Sequence, residues 1–310
     1  MFRESKATGR VPARAANAPT VASGPNTPDN EDPQREPIGA LIGRSRKLSI
    51  EQVEQIASHQ RQHHLRFGES AIALGLANAD DVLHALSQQF RYAYAKGAGA
   101  DHHPDLVSAL RPFSPQAEAF RGIRAQLKLR LTRPGTPRRA VAVLSAGIGE
   151  GKSTFAANNA IAFSQLGGRT LLIDADLRRP RQHELFGIAD DGGLANVLAG
   201  RTDSHVIHPV AALPSLFVLP VGTVPPNPLE LLEGGAFAAL LQDVLGKFDH
   251  VVVDTPAFSH GMDAAVVADA CGVGLIVVRR GRSRLSGVQD LVALVSESRA
   301  EVAGVIMNEF

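Results

Sequence analysis

The sequence predicts an α/β protein: a parallel sheet with helices on both faces, preceded by a small all-helical domain. Three observations carry that prediction. From Ser114 onward, continuous apolar runs of strand length alternate with helix-length stretches. Between Pro37 and Gln89 the chain repeats itself at an offset of 29 residues. A glycine-rich segment, "AGIGEGKS", follows the first apolar run and opens a helix-length stretch.

Taken in order, residues 1–35 are rich in Ala, Pro, Asn, Thr and charge, with almost no large apolar side chains. Such a segment buries too little surface to offset its ordering entropy and is expected to be disordered. Residues 36–95 form the helical domain. "PIGALIGRSRKLSIEQVEQIASHQ" begins at Pro37 and "RFGESAIALGLANADDVLHALSQQ" at Arg66, so Gly39 matches Gly68, Val53 matches Val82, Ile56 matches Ala85 and Gln60 matches Gln89. In each copy a short apolar helix leads through a turn to a second helix, with Ser49 and Asn78 placed to cap the second helices. Two such units can bury each other's apolar faces. Residues 96–113 carry Gly, Pro and His and read as a linker with one helical turn, Lys96 to His103 being its flexible part.

Residues 114–310 form the α/β domain. Its strands are expected at 140–144, 170–174, 216–220, 250–254, 273–278 and 302–307, with helices at 152–166, 228–246 and 284–299. Strands that are apolar throughout imply a parallel sheet covered on both faces. Ligands in such folds sit at the carboxyl ends of the strands, and the chemistry should lie there.

Composition narrows the partners. The 310 residues are 44% hydrophobic and 20% charged, and the net charge of +1 points to no nucleic-acid or acidic-lipid partner. A single cysteine, Cys271, excludes an internal disulfide framework and fits a reducing compartment. The N-terminus lacks the apolar stretch of a signal peptide, and no run approaches about 18 consecutive apolar residues. The expected location is the cytoplasm.

"AGIGEGKS", Ala146 to Ser153, has the spacing of a phosphate-binding loop, with Ala in place of the first Gly. Gly147, Gly149 and Gly151 let backbone N–H groups converge on phosphate oxygens, and Ile148, Glu150 and Thr154 complete the binding run. Lys152 would bridge the β- and γ-phosphates of ATP, and the Ser153 hydroxyl would ligate Mg²⁺. Asp174 and Asp176 in "LLIDADLRRP", and Asp254 in "VVVDTP", follow apolar strands. Carboxylates so placed can hold Mg²⁺ or orient a nucleophile, or they can cap the helices that follow.

These residues carry a resemblance. Residues 114–310 are similar to the bacterial tyrosine kinase (BY-kinase) family of polysaccharide export, in the MinD/ParA branch of P-loop ATPases. "SAGIGEGKST" resembles its Walker A motif, "LLIDADLRRP" its Walker A′, "VVVDTP" its Walker B, and "LPVGTVPPNPLELL" at 219–232 a further family stretch. Gly147 occupies the place of the signature lysine of the MinD/ParA ATPases, a lysine that BY-kinases also lack. The resemblance implies that Asp174 is the base that activates the attacking hydroxyl or water, that Asp176 and Asp254 organise Mg²⁺, and that Asn308 contacts adenine unless it only terminates a strand. "EAFRGIR" matches the family's ExxRxxR motif, which implies self-association through Glu118, Arg121 and Arg124; the alternative is a solvated helix face.

The match has a departure. A BY-kinase ends in a tyrosine cluster, whereas this sequence stops at "GVIMNEF" and contains only Tyr92 and Tyr94, where aromatic packing is the simpler role. The repeats at 36–95 resemble the MshE-type N-terminal module, which implies a cyclic di-GMP site at Gln60, Arg66 and Gln89. Pro37 stands where that module has an arginine, which removes one bidentate phosphate contact. The whole arrangement resembles EpsG-type proteins of exopolysaccharide clusters, which work with a membrane chain-length regulator, a Wzz-type co-polymerase; the protein would then sit at the inner membrane through that partner. Three readings follow: an ATP-dependent BY-kinase-like enzyme, a MinD/ParA-type ATPase switch, and a cyclic di-GMP-responsive docking module with an assembly-only ATPase core.

Overall fold

The computed structural model describes residues 36–89, 103–132, 135–201 and 206–309. The segment expected to be disordered (1–35), both tyrosines and residues 96–102 of the expected linker lie outside them.

The repeats form four helices: α1 (Ile38–Arg46), α2 (Ile50–His63), α3 (Phe67–Ala73) and α4 (Ala79–Gln89). Both expected caps form. The Gln52 N–H donates to Ser49 Oγ at 3.2 Å while the Ser49 N–H donates to Gln52 Oε1 at 2.9 Å. Asn78 and Asp81 make the same reciprocal pair, both bonds at 2.9 Å. Each pair satisfies donors that a helix start leaves open. The copies interleave, so that α1 packs on α4 and α3 on α2. The matched residues Ile56 and Ala85 are fully buried, with Ile42 and Ala71, in one small core. Gly68 is required by this approach: a Cβ there would lie 2.6 Å from Val82 Cγ1.

The remainder is built on β1 (Val141–Leu144), β2 (Thr170–Asp174), β3 (His208–Val210), β4 (Leu213–Leu219), β5 (His250–Asp254), β6 (Val273–Arg279) and β7 (Glu301–Asn308). The strand order is β3-β4-β2-β5-β1-β6-β7. All pairings are parallel except β3 with β4, so the expected parallel sheet carries one antiparallel edge strand. That strand is three residues long with Pro209 at its centre. Proline is tolerated there because an edge strand leaves one side of its backbone unpaired.

Helices cover both faces. In chain order they are α5 (Val107–Leu110), α6 (Pro115–Leu131), α7 (Lys152–Ser164), α8 (Gln182–Phe186), α9 (Leu194–Leu198), α10 (Pro228–Glu233), α11 (Ala236–Lys247), α12 (Asp263–Cys271) and α13 (Leu285–Glu297). Along β1, Val141 and Val143 join the core under α6 and α7, while Ala142 and Leu144 join the core under α11, α12 and α13. The helix expected over 228–246 is interrupted at Gly234–Gly235, where Gly235 has φ 76°. Glycine has no Cβ to oppose that left-handed conformation.

Residues 103–113, expected as linker, belong to the α/β core. Leu106 and Ala109 are fully buried. The Ser108 N–H donates to Asn158 Oδ1 at 2.8 Å, Asn158 Nδ2 donates to the Asp105 carbonyl at 2.8 Å, and Gln165 Nε2 donates to the Ser108 carbonyl at 2.9 Å. The side-chain amides of Asn158 on α7 and Gln165 at its C-cap thus supply the backbone partners that this short segment cannot supply itself. Among the described residues no helix is long and apolar enough to cross a membrane.

Candidate nucleotide-binding site

The ends of β1, β2 and β5 converge on a cleft of about 540 Å³ lined by the glycine-rich loop from Gly147 to Thr154, by Asp176, Arg179, Pro180 and Arg181 beyond β2, and by His260. The loop leaves β1 and enters α7 through Gly149 (φ 74°) and Gly151 (φ 89°). Both values favour glycine. Position 151 is doubly restricted, since a Cβ there would lie 2.1 Å from Asn308 Nδ2.

Three groups that the sequence reading did not assign hold the loop from behind. Arg279 Nη1 donates to the Gly149 carbonyl at 3.1 Å, and the Arg282 guanidinium lies against Gly149. Ser283 Oγ donates to Glu150 Oε1 at 2.5 Å while accepting from the Arg279 N–H at 2.7 Å. The available signal was "RRGRS" directly after the β6 run, at a strand end facing the loop. Asn308, expected to contact adenine, spends its side chain on the loop as well, donating to the Glu150 carbonyl at 3.1 Å.

Lys152 is buried in the first turn of α7. Its Nζ lies 3.6 Å from Asp176 Oδ2 and 3.5 Å from Asp254 Oδ1. The expected lysine and two of the three expected carboxylates therefore meet at one point. Asp174 is fully buried and, like Asp254, not among the residues that line the cleft, but both of its oxygens are taken up by backbone donors. Its Oδ1 accepts from the Asp176 N–H at 3.1 Å, and its Oδ2 accepts from the Arg181 and Gln182 N–H groups at 3.0 and 2.9 Å. Asp176 continues the pattern, accepting from the Arg179 N–H at 2.9 Å. The loop between β2 and α8 is therefore wrapped around carboxylates.

Crowding these acids shifts their titration. Burial, and then the charge of Asp254 on the neighbouring strand, push the Asp174 carboxyl well above the usual carboxylate range. Burial also raises Asp176, against the opposing pull of Lys152. A further clamp secures the same loop: Arg178 donates through Nε and Nη2 to Asp263 Oδ1 and Oδ2 at 3.1 and 3.2 Å, and Asp263 is 1% exposed.

The donor set suits Mg²⁺. Ser153, Asp176 and Asp254 present only oxygen, as a hard cation requires, and Asp254 Oδ1 is buried with no hydrogen-bond donor. Among the described residues no three His, Cys, Asp or Glu side chains close on a single point. The protein would thus supply part of a shell that Mg²⁺ ordinarily completes with water and phosphate.

The other expected sites lie elsewhere. Glu118 and Arg121 on α6 form an ion pair, with Arg121 Nε donating to Glu118 Oε2 at 2.8 Å. Arg121 also donates to the Pro112 carbonyl, and Arg124 Nη1 to the Ala162 carbonyl at 2.9 Å. Both arginines thus brace α6 within the subunit, while Glu118 is 70% exposed. In the repeats, Gln60 lies in the last turns of α2, Arg66 is the exposed residue before α3 and Gln89 ends α4.

The family model of NUBPL iron-transfer P-loop NTPases, ParA, matches residues 136–309. The tyrosine-protein kinase CpsD of Streptococcus agalactiae serotype III is 33% identical over 203 residues, covering 65% of this chain and 86% of that relative. Among solved structures, the kinase domain of the Escherichia coli tyrosine kinase ETK superposes with a TM-score of 0.63 at 30% identity, over 67% of this chain and 81% of that one. The chimerical protein CapA2B2 gives 0.62 at 29% identity, over 73% and 98%. On these matches the chain belongs to the bacterial tyrosine-kinase family of P-loop NTPases.

Proposed function

We propose that this protein is an Mg²⁺-dependent enzyme that transfers the γ-phosphoryl group of ATP to protein tyrosine, acting with a membrane chain-length regulator to control exopolysaccharide chain length and export. The observation that carries the reading is Lys152, held 3.5–3.6 Å from Asp254 and Asp176 at the mouth of α7. A buried ammonium set among more acids than it can neutralise is poised to move to the phosphates of an arriving nucleotide.

The roles follow from the geometry. The loop N–H groups and Lys152 neutralise charge that develops on the γ-phosphoryl group as its bond to the β,γ-bridging oxygen breaks and its bond to the acceptor oxygen forms. Ser153, Asp254 and Asp176 would hold Mg²⁺, whose chemistry is to screen the phosphate oxygens. Asp176, unlike Asp174, also lines the cleft and would there meet an acceptor hydroxyl. The sequence reading gives the base to Asp174; because the Asp174 oxygens are engaged by three backbone N–H groups, we assign it instead to holding the loop that presents Asp176. Phosphoryl transfer depends more on positioning and charge than on a strong base. Exposed Glu118 supports self-association through the Glu118, Arg121 and Arg124 surface, with the two arginines setting the pose of the helix that presents it.

The test is to incubate the purified chain with Mg-ATP and the cytoplasmic part of a chain-length regulator, and to score phosphate release and phosphotyrosine. Phosphotyrosine that requires Lys152 is expected. Phosphate release without phosphotyrosine would leave an ATPase and remove the kinase, and neither signal would overturn the reading.

A further inference from the structure

Gln182, the first residue of α8, is fully buried yet polar at both ends. Its Nε2 donates to Asp254 Oδ2 at 2.8 Å and to the Ser153 carbonyl at 3.1 Å. Both partners accept only, so the amide is oriented by them and both of its hydrogens are spent. The backbone N–H of the same residue donates to Asp174 Oδ2 at 2.9 Å. One residue therefore ties together the ends of β2 and β5 and the start of α7. Its own Oε1 is buried and accepts nothing.

The consequence falls on Asp254. With Oδ2 engaged by Gln182, the carboxylate presents Oδ1, which accepts no hydrogen bond and faces Lys152 Nζ at 3.5 Å. The same amide holds Ser153 through its backbone carbonyl, so one side chain ties the Ser153 backbone to Asp254. We infer that Gln182 is a positioning residue for the metal: it fixes which oxygen of Asp254 faces Lys152 and ties that orientation to Ser153 and to the loop before α8. The inference rests on the Mg-ATP reading of the cleft. Residues that orient metal-binding carboxylates typically account for about 10–100-fold in metal affinity.

Calorimetry of the full chain with ADP, once in Mg²⁺ and once in EDTA, separates metal positioning from general support of the fold. Wild type is expected to bind ADP more tightly in Mg²⁺. Gln182→Met, which keeps the length of the side chain and removes both donors, should bind ADP in EDTA within about twofold of wild type and lose about tenfold of the Mg²⁺ gain. If Gln182→Met does not fold, Gln182→Asn, whose amide is one methylene short of reaching both oxygens, carries the same comparison. An Mg²⁺ gain equal to wild type, or an equal loss of affinity in both buffers, would overturn the assignment alone. A wild-type affinity that ignores Mg²⁺ would overturn both the assignment and the reading on which it rests.

Discussion

The repeat at 37–89 and the cleft at the end of the sheet are packed by opposite means. The repeat closes on Ile42, Ile56, Ala71 and Ala85, with glycines where helices approach closely. The cleft buries Lys152, Asp174, Asp176, Asp254, Gln182 and Asp263, groups that cost free energy away from water unless each finds a partner. In the repeat, burial falls mainly on apolar side chains. In the cleft, burial is spent on fixing charges that still lack complete partners, Asp254 Oδ1 among them. Each unsatisfied buried polar group calls for an explanation, and beside a phosphate-binding loop a bound cation would supply one.

Five substitutions test this contrast, beginning with the largest expected effect. Arg178→Ala strips Asp263 of both guanidinium bonds, and an uncompensated acid at 1% exposure should cost about 3 kcal/mol in urea unfolding. A loss below about 1 kcal/mol would mean that the clamp is dispensable. Gly68→Ala places a methyl group 2.6 Å from Val82 Cγ1 and should cost about 2 kcal/mol while leaving ATP turnover unchanged. Its repeat partner, Gly39→Ala, meets only the edge of the Phe67 ring at 3.3 Å and should cost less than about 1 kcal/mol.

Asp254→Asn goes the other way, removing function while stabilising the nucleotide-free fold. A carboxyl whose folded pKa is raised, as in Asp174, contributes stability at acid pH that is lost as pH rises through the raised value. Removing the Asp254 charge relieves that loss, for a gain in stability that shrinks as the pH falls through the raised Asp174 value and Asp174 protonates in wild type as well. Urea unfolding followed across a series of pH values checks the sign. Ser49→Ala, which opens the capping box of α2, should cost about 1 kcal/mol and leave the cleft untouched.

Much of the architecture was legible because its causes are local. Apolar runs mark six of the seven described strands, and the loop's spacing between strand and helix marks the site. What escaped was set by distant partners. Residues 103–113 look like linker until Asn158 and Gln165, about 50 positions on, bond their backbone. The edge strand β3 is too short, and too disrupted by Pro209, to show a period. Gln182 sits in "RRPRQHELF", where nothing in its type or spacing tells that it reaches Ser153 and Asp254. Asp174 and Asp176 look equivalent in "DAD", yet only the path of the following loop decides which of them faces the cleft.

The central claim is that Lys152, set between Asp176 and Asp254, is the charge that an ATP phosphate recruits. Phosphate release from Mg-ATP by the wild type and by Lys152→Met tests it most directly, with circular dichroism confirming that both are folded. Turnover in the variant should fall by at least about 100-fold, the scale of losing a preorganised charge at a transferring phosphoryl group. Equal turnover in the two folded proteins would contradict the account.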